Sequence, residues 1–205
     1  IIMNQAIFKQ GNKIVYPSHG VGILQEIKTE HVAGFEITSY VILFPKTKMI
    51  VKIPLNRVAK EGLRNVASKL ALKQTEKILK SPAKMARGMW SKRAVEYNSK
   101  ITSGSLDLLA EVVRDLHRNI NDAERSYSER IIYEGAFSRL VDEFAASRKE
   151  EEEKTESYLQ LMLDKAHSVG KFAAELAEDD AAVIANDDVD SEDFDKLQDS
   201  EEIAA

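Results

Sequence analysis

Apolar and polar positions alternate over short spans through the first sixty or so residues. Ile14 to Tyr16 and Val21 to Ile27 are apolar runs separated by Pro17, Ser18 and Gly20, a turn composition. Glu36 to Pro45 is rich in β-branched and aromatic residues. A second such run, Lys48 to Pro54, follows the polar turn at Pro45 to Lys48. Pro54 lacks the N–H a ladder needs and so ends that strand. Four or five short strands with tight turns predict a small barrel or a strongly bent sheet, the size of an SH3-like or Tudor-like module.

From Ser68 the period changes to that of helices. Leu72, Thr75 and Leu79 share a face, with Ile78 beside them, and the pattern stops before Ser81-Pro82 because proline disfavours helix in the residue before it. Trp90, Ala94, Tyr97 and Ile101 recur at 4-3-4 spacing until Ser103-Gly104-Ser105, which breaks that helix and caps the next. Leu106, Leu109, Val113, Leu116 and Ile120 form the third stripe. Ser126 and Glu129 have capping-box spacing and open a long helix through Ile132, Ala136, Leu140 and Phe144. Gly135 within it costs about 1 kcal/mol against Ala. A fifth helix is predicted from about Thr155 to Ala174 on Leu159, Met162, Leu163 and Ala166. Beyond Glu175 the chain is acidic and poor in large apolar residues, too poor to offset its ordering entropy, which predicts a disordered tail. The predicted fold class is α+β: a β module over residues 7–62, a compact all-helical domain over 66–174 and an acidic tail over 175–205.

Charge sharpens this division. Residues 1–149 hold 25 Lys and Arg against 15 Asp and Glu, whereas residues 150–205 hold 4 against 19, so a net charge of −5 conceals a basic body and an acidic end. The body attracts phosphate; the acidic end repels or shields it. There is no cysteine, hence no disulfide framework or thiolate chemistry, which fits the cytoplasm. No run of about 18 apolar residues is present to cross a membrane, and Ile1 to Phe8 has neither the basic leader nor the apolar length of a signal peptide.

Catalytic signatures are missing. His19, His31, His117 and His167 are scattered without metal-ligand spacing. Gly20-x-Gly22 lies between two strands rather than between a strand and a helix, so it reads as a turn and not a dinucleotide fingerprint. Asp107 and Glu111 stand one helical turn apart, as on any solvated face. Neither an enzyme nor a metal or cofactor is expected.

The informative segment surrounds Trp90, the chain's one tryptophan. It stands at the start of a predicted helix among Arg87, Lys92, Arg93 and Lys100. Helix N-termini attract phosphate, basic side chains add counterion-release affinity, and an aromatic plate beside them suits an unstacked base step. The same residue shares a stripe with Ala94, Tyr97 and Ile101, which is the pattern of a core position. Periodicity leaves both readings open.

The wider sequence resembles the CarD (also called CdnL) family of bacterial transcription factors. "FKQGNKIVYPSHGVG" resembles the family's opening hairpin, and "SYVILF" and "MIVKIP" are similar to its later strands. "WSKRAVEYNSKITSGSLDLLAEVVRDLHR" resembles its helical core and "SYSERIIYEGAF" the start of its long following helix. The resemblance runs over about residues 7 to 168 with the distances between motifs preserved.

It implies a non-enzymatic regulator; a cytoplasmic monomer with no membrane role is expected. The N-terminal module would resemble the polymerase-interacting domain of the transcription-repair coupling factor and dock on the β-subunit lobe of RNA polymerase. The helical domain would approach promoter DNA at the upstream edge of the bubble. There the family's tryptophan, matched by Trp90, wedges into the minor groove, and basic residues matched by Lys92 and Arg93 hold the backbone. Lys52 falls where the family carries a basic polymerase contact; a second such position falls on Glu30, a departure that bears on charge complementarity at this corner. An adaptor that binds polymerase without touching DNA is the competing function. The tail reads either as a solubilising segment or as a DNA mimic that folds back on the basic face.

Overall fold

In the computed structural model, which describes residues 8–32, 34–84, 88–117 and 126–168, the N-terminal third is an antiparallel sheet. Its strands are β1 (Lys13–Tyr16), β2 (Gly20–Val32), β3 (Phe35–Phe44), β4 (Met49–Pro54) and β5 (Arg64–Asn65), in the spatial order β4-β3-β2-β1-β5. The first four form a meander, as short hairpin connections dictate. A 3₁₀ turn at Leu55–Arg57 follows Pro54 and returns the chain so that β5 pairs with β1.

One face of the sheet is apolar. Ile14, Leu24, Tyr40, Ile42, Phe44 and Ile53 are buried there with Phe8, Val58 and Leu63. The Tyr40 hydroxyl accepts the Phe8 N–H at 3.1 Å, which pins the chain's entry to the sheet. A register shift between Leu24 and Glu26 marks a bulge, which bends the ribbon. Gly22 is required by close approach: a Cβ there would sit 2.6 Å from Ile42 Cγ2 and 2.9 Å from Phe44 Cε1.

The helices are α1 (Lys69–Lys80), α2 (Trp90–Thr102), α3 (Leu106–Leu116), α4 (Tyr127–Arg148) and α5 (residues 152–168). Ser68, Ser105 and Ser126 cap α1, α3 and α4 through their hydroxyls, accepting the N–H of Ala71, Leu108 and Glu129. Leu72, Leu79, Tyr97, Leu109, Val113, Leu116, Ala136, Leu140, Phe144, Leu159 and Leu163 meet in one core, distinct from that of the sheet. The α+β class and the stripes follow the sequence reading. Ile120, the tail over 175–205 and the predicted end of the fifth helix lie outside the described residues.

Two details carry no local signal in the sequence. The two-residue strand β5 has no hydrophobic alternation to announce it. Helix α4 runs four residues past Phe144 and stops where Lys149 adopts left-handed φ/ψ (59°, 41°), so the break before α5 is made by a lysine instead of the usual glycine.

Sheet and helices are tied by charged and backbone contacts. Arg64 of β5 donates from Nε to the Gly104 carbonyl at 2.7 Å and forks onto Glu143 of α4, with Nη2–Oε2 at 2.8 Å; Glu143 also accepts the Ala67 N–H at 3.1 Å. Arg139 of α4 reaches the carbonyls of Pro17 and Ser18 at 3.0 and 2.9 Å, in the turn between β1 and β2. Lys46 pairs with Asp142 and, at 3.2 Å, with Glu152. Gly104, at φ +77°, lies so close that a Cβ would be 2.7 Å from Pro17 Cγ.

Candidate nucleic-acid and polymerase interfaces

Helix α2 begins without a side-chain cap. Met89 occupies the N-cap position and offers none, so the first turn is served only through its backbone. Trp90 is half-buried here. One side of the indole rests on the helical core, with its ring 6.3 Å from that of Tyr97 at 44°. Its Nε1–H donates to Ser128 Oγ at 2.8 Å, in the first turn of α4. The Arg93 guanidinium lies over the ring, 5.3 Å from its centroid, at the distance of a cation–π contact. Arg93 Nε is buried with no hydrogen-bond partner among the described residues. Thus both open readings of Trp90 capture part of the geometry: the residue packs against the helical core, yet it stays only part-buried.

The remaining basic positions separate. Lys92 is exposed beside Trp90. Lys100, ten residues along α2, is about 15 Å up the helix axis; it pairs with Glu111 at 3.1 Å and Glu96 at 3.5 Å, so its charge is met within the helical domain. Arg87 lies outside the described residues. The sequence does not single out Ser128, since a serine in a helix's first turn reads as a local cap and nothing in the pattern links it to Trp90. Met89 and Tyr127, which flank Trp90 and Ser128 in the chain, are exposed, Tyr127 to 76%.

On the sheet, Glu30 and Lys52 come together. Glu30 lies between two lysines, 2.9 Å from Lys28 and 3.0 Å from Lys52. The register explains this: β2 and β4 flank β3, where Lys28 pairs with Ser39 and Lys52 with Val41 two positions on, which puts all three charged groups on one face. Lys28 first, then Lys52, holds the Glu30 carboxyl below the usual range for glutamate. Val32 and Phe35, paired in register at the end of the β2–β3 hairpin, and Ile50 of β4 are exposed, Phe35 to 74%. β4, which carries Lys52, is an edge strand of the sheet.

No three His, Asp or Glu side chains converge to hold a metal ion among the described residues, and no helix among them is long and apolar enough to cross a membrane.

Residues 8–67 match the CarD-like/TRCF RID domain and residues 74–160 match the CarD C-terminal domain. The chain belongs to the CarD-like family. It is similar to YdeB of Bacillus subtilis (strain 168), a protein named as a candidate transcription factor, at 30% identity over 152 residues, which is 74% of this chain and 99% of YdeB. Membership in the CarD-like family gives the chain a transcription-related role that involves RNA polymerase, carried by interaction domains.

Proposed function

We propose that the chain docks on the RNA polymerase β lobe through its sheet and stabilises the open promoter by DNA contact at the upstream edge of the bubble, with Trp90 as the wedge. The observation that carries this is the seating of Trp90. Its indole stands at an uncapped helix start, half-buried, anchored at one edge by Ser128 and covered by Arg93. Such a plate enters an unstacked step without having to be ordered first, which lowers the cost of binding. Lys92 and Arg93 then face the adjacent backbone, and Arg87 joins them in sequence.

The energetics suit a small site. Unstacking costs a few kcal/mol per step, and a wedge that binds only the opened junction stabilises it by its differential affinity. About 1.4 kcal/mol shifts the open population tenfold. Few cations surround the wedge, so its own DNA affinity is weak and falls with salt; tethering through polymerase supplies the effective concentration. The Arg64–Glu143 and Arg139–Pro17 links hold α4 to the sheet, so docking the sheet fixes where the first turn of α4, and with it Trp90, is delivered. Lys52 and Glu30 would lie on the docking face.

An adaptor without DNA contact is favoured by one observation: the Trp90 N–H is already satisfied inside the molecule. Permanganate reactivity of bubble thymines at a weakly opening promoter separates the two. The wedge predicts higher reactivity with the wild type and none of that gain with Trp90→Ala. An equal gain from both proteins would leave the adaptor.

A further inference from the structure

Helix α1 carries four lysines, Lys69, Lys73, Lys77 and Lys80, in twelve residues. At 3.6 residues per turn they fall within an arc of about 80° and span about 16 Å of axis. The opposite side of the helix is fixed inward: Leu72, Thr75 and Leu79 are buried, and Thr75 Oγ1 donates to Asp107 of α3 at 2.8 Å, with the Ala71 carbonyl 3.1 Å away. All four lysines are therefore exposed.

This stripe is not neutralised. The acidic residue of α1, Glu76, turns away to pair with Arg148 at the end of α4, whose guanidinium also lies 4.3 Å from the Tyr158 ring centroid. No ion pair engages Lys69, Lys73, Lys77 or Lys80 among the described residues. Like charges at i,i+4, as Lys69–Lys73 and Lys73–Lys77 are, disfavour an isolated helix. A face that served solubility alone would gain from mixed signs, as on α2 where Lys100 sits with Glu96. Lys100, the basic residue of the last turn of α2, is neutralised by Glu96 and Glu111, which leaves α1 as the denser run of free cations.

We infer that the α1 lysine stripe is a second nucleic-acid contact, one that takes the phosphate backbone of duplex DNA without regard to sequence. Four ammonium groups on flexible stems, with no aromatic, amide or guanidinium among them, suit phosphates as point charges and carry no base readout. The inference rests on the DNA-contact reading above for its partner. It differs in substrate, since the wedge needs an opened junction and the stripe needs only intact duplex.

The test is binding of the full chain to labelled duplexes of unrelated sequence across a salt series. The wild type, Trp90→Ala and a variant with Lys69, Lys73, Lys77 and Lys80 all changed to Gln are compared, each also assayed for polymerase binding. Gln matches Lys in helix propensity, and the changes remove like-charge repulsion, so the variant folds; circular dichroism verifies it. Expected is loss of duplex affinity on every sequence in the lysine variant, with the slope of log K against log salt shallower by up to about 3.6, and polymerase binding retained. An unchanged slope overturns the inference, as does a wild type that shows no salt-dependent duplex binding. Loss of polymerase binding with duplex binding intact also overturns it and makes the stripe a protein contact. Trp90→Ala keeps the wild-type slope on duplex, so failure of the wedge, seen only at the open bubble, is separable from failure of the stripe.

Discussion

Trp90 and Ser128 are 38 positions apart in the chain, and the indole N–H of one meets the hydroxyl of the other at 2.8 Å. The bond ties the first turn of α2 to the first turn of α4. It fixes the indole's orientation from its polar edge while the Tyr97 ring packs beside it at a tilt. Ser128→Ala should therefore cost about 1 kcal/mol of stability, the ordinary worth of one hydrogen bond, and should shorten open-complex lifetime while polymerase affinity stays at the wild-type value. Paired denaturation and kinetic measurements check this; loss of stability with unchanged lifetime would mean that the bond serves the fold alone.

The Arg64–Glu143 pair predicts an asymmetry. The Glu143 side chain is 3% exposed and that of Arg64 31%. Arg64→Ala strands a buried carboxylate and should cost about 3 kcal/mol or more, whereas Glu143→Ala leaves a guanidinium that water reaches and should cost less. Urea midpoints of the two variants decide the order, and the reverse order would contradict the burial argument.

Tyr97 gives a pH dependence. Burial, reinforced by Asp115, raises its phenol above the ordinary value of 10.0. A raised folded pKa contributes stability in full below 10.0, and that contribution is lost as pH climbs through the raised value. Between neutral pH and pH above 10.0 the wild type should lose more stability than Tyr97→Phe. Equal losses would show that Tyr97 does not titrate differently on folding.

At the sheet face, Glu30 holds both Lys28 and Lys52. If Lys52 contacts polymerase it does so by leaving Glu30. Lys52→Ala should weaken polymerase binding, and Glu30→Gln, which frees both lysines, should strengthen it a few-fold at low salt, with the gain fading as salt rises. Weaker binding by Glu30→Gln would instead make the carboxylate itself a contact.

Much of this architecture is legible in the sequence because it is periodic. Leu72, Thr75 and Leu79 are spaced as a buried helical face must be, and all three are buried. The serine caps follow from hydroxyl chemistry at Ser68, Ser105 and Ser126. What escapes is non-local or conformationally unusual. β5 is two residues held by pairing with Ile14 and Val15, so it exists only once the rest of the sheet does. The helix stop at Lys149 uses a left-handed residue without glycine's freedom, and no local signal marks it. The Trp90–Ser128 bond and the α1 lysine stripe differ in the same way: the first needs the fold, whereas the second is written at i,i+4 spacing and becomes informative only when Glu76 is found turned towards Arg148.

The most direct test is the lifetime of the open complex formed by bacterial RNA polymerase holoenzyme, challenged with competitor, alone, with the wild-type chain and with a folded Trp90→Ala variant. The wedge predicts a longer lifetime with the wild type and the polymerase-alone value with Trp90→Ala, although both proteins bind polymerase equally. A lifetime that both proteins lengthen alike, or that neither changes while both are bound, would contradict it.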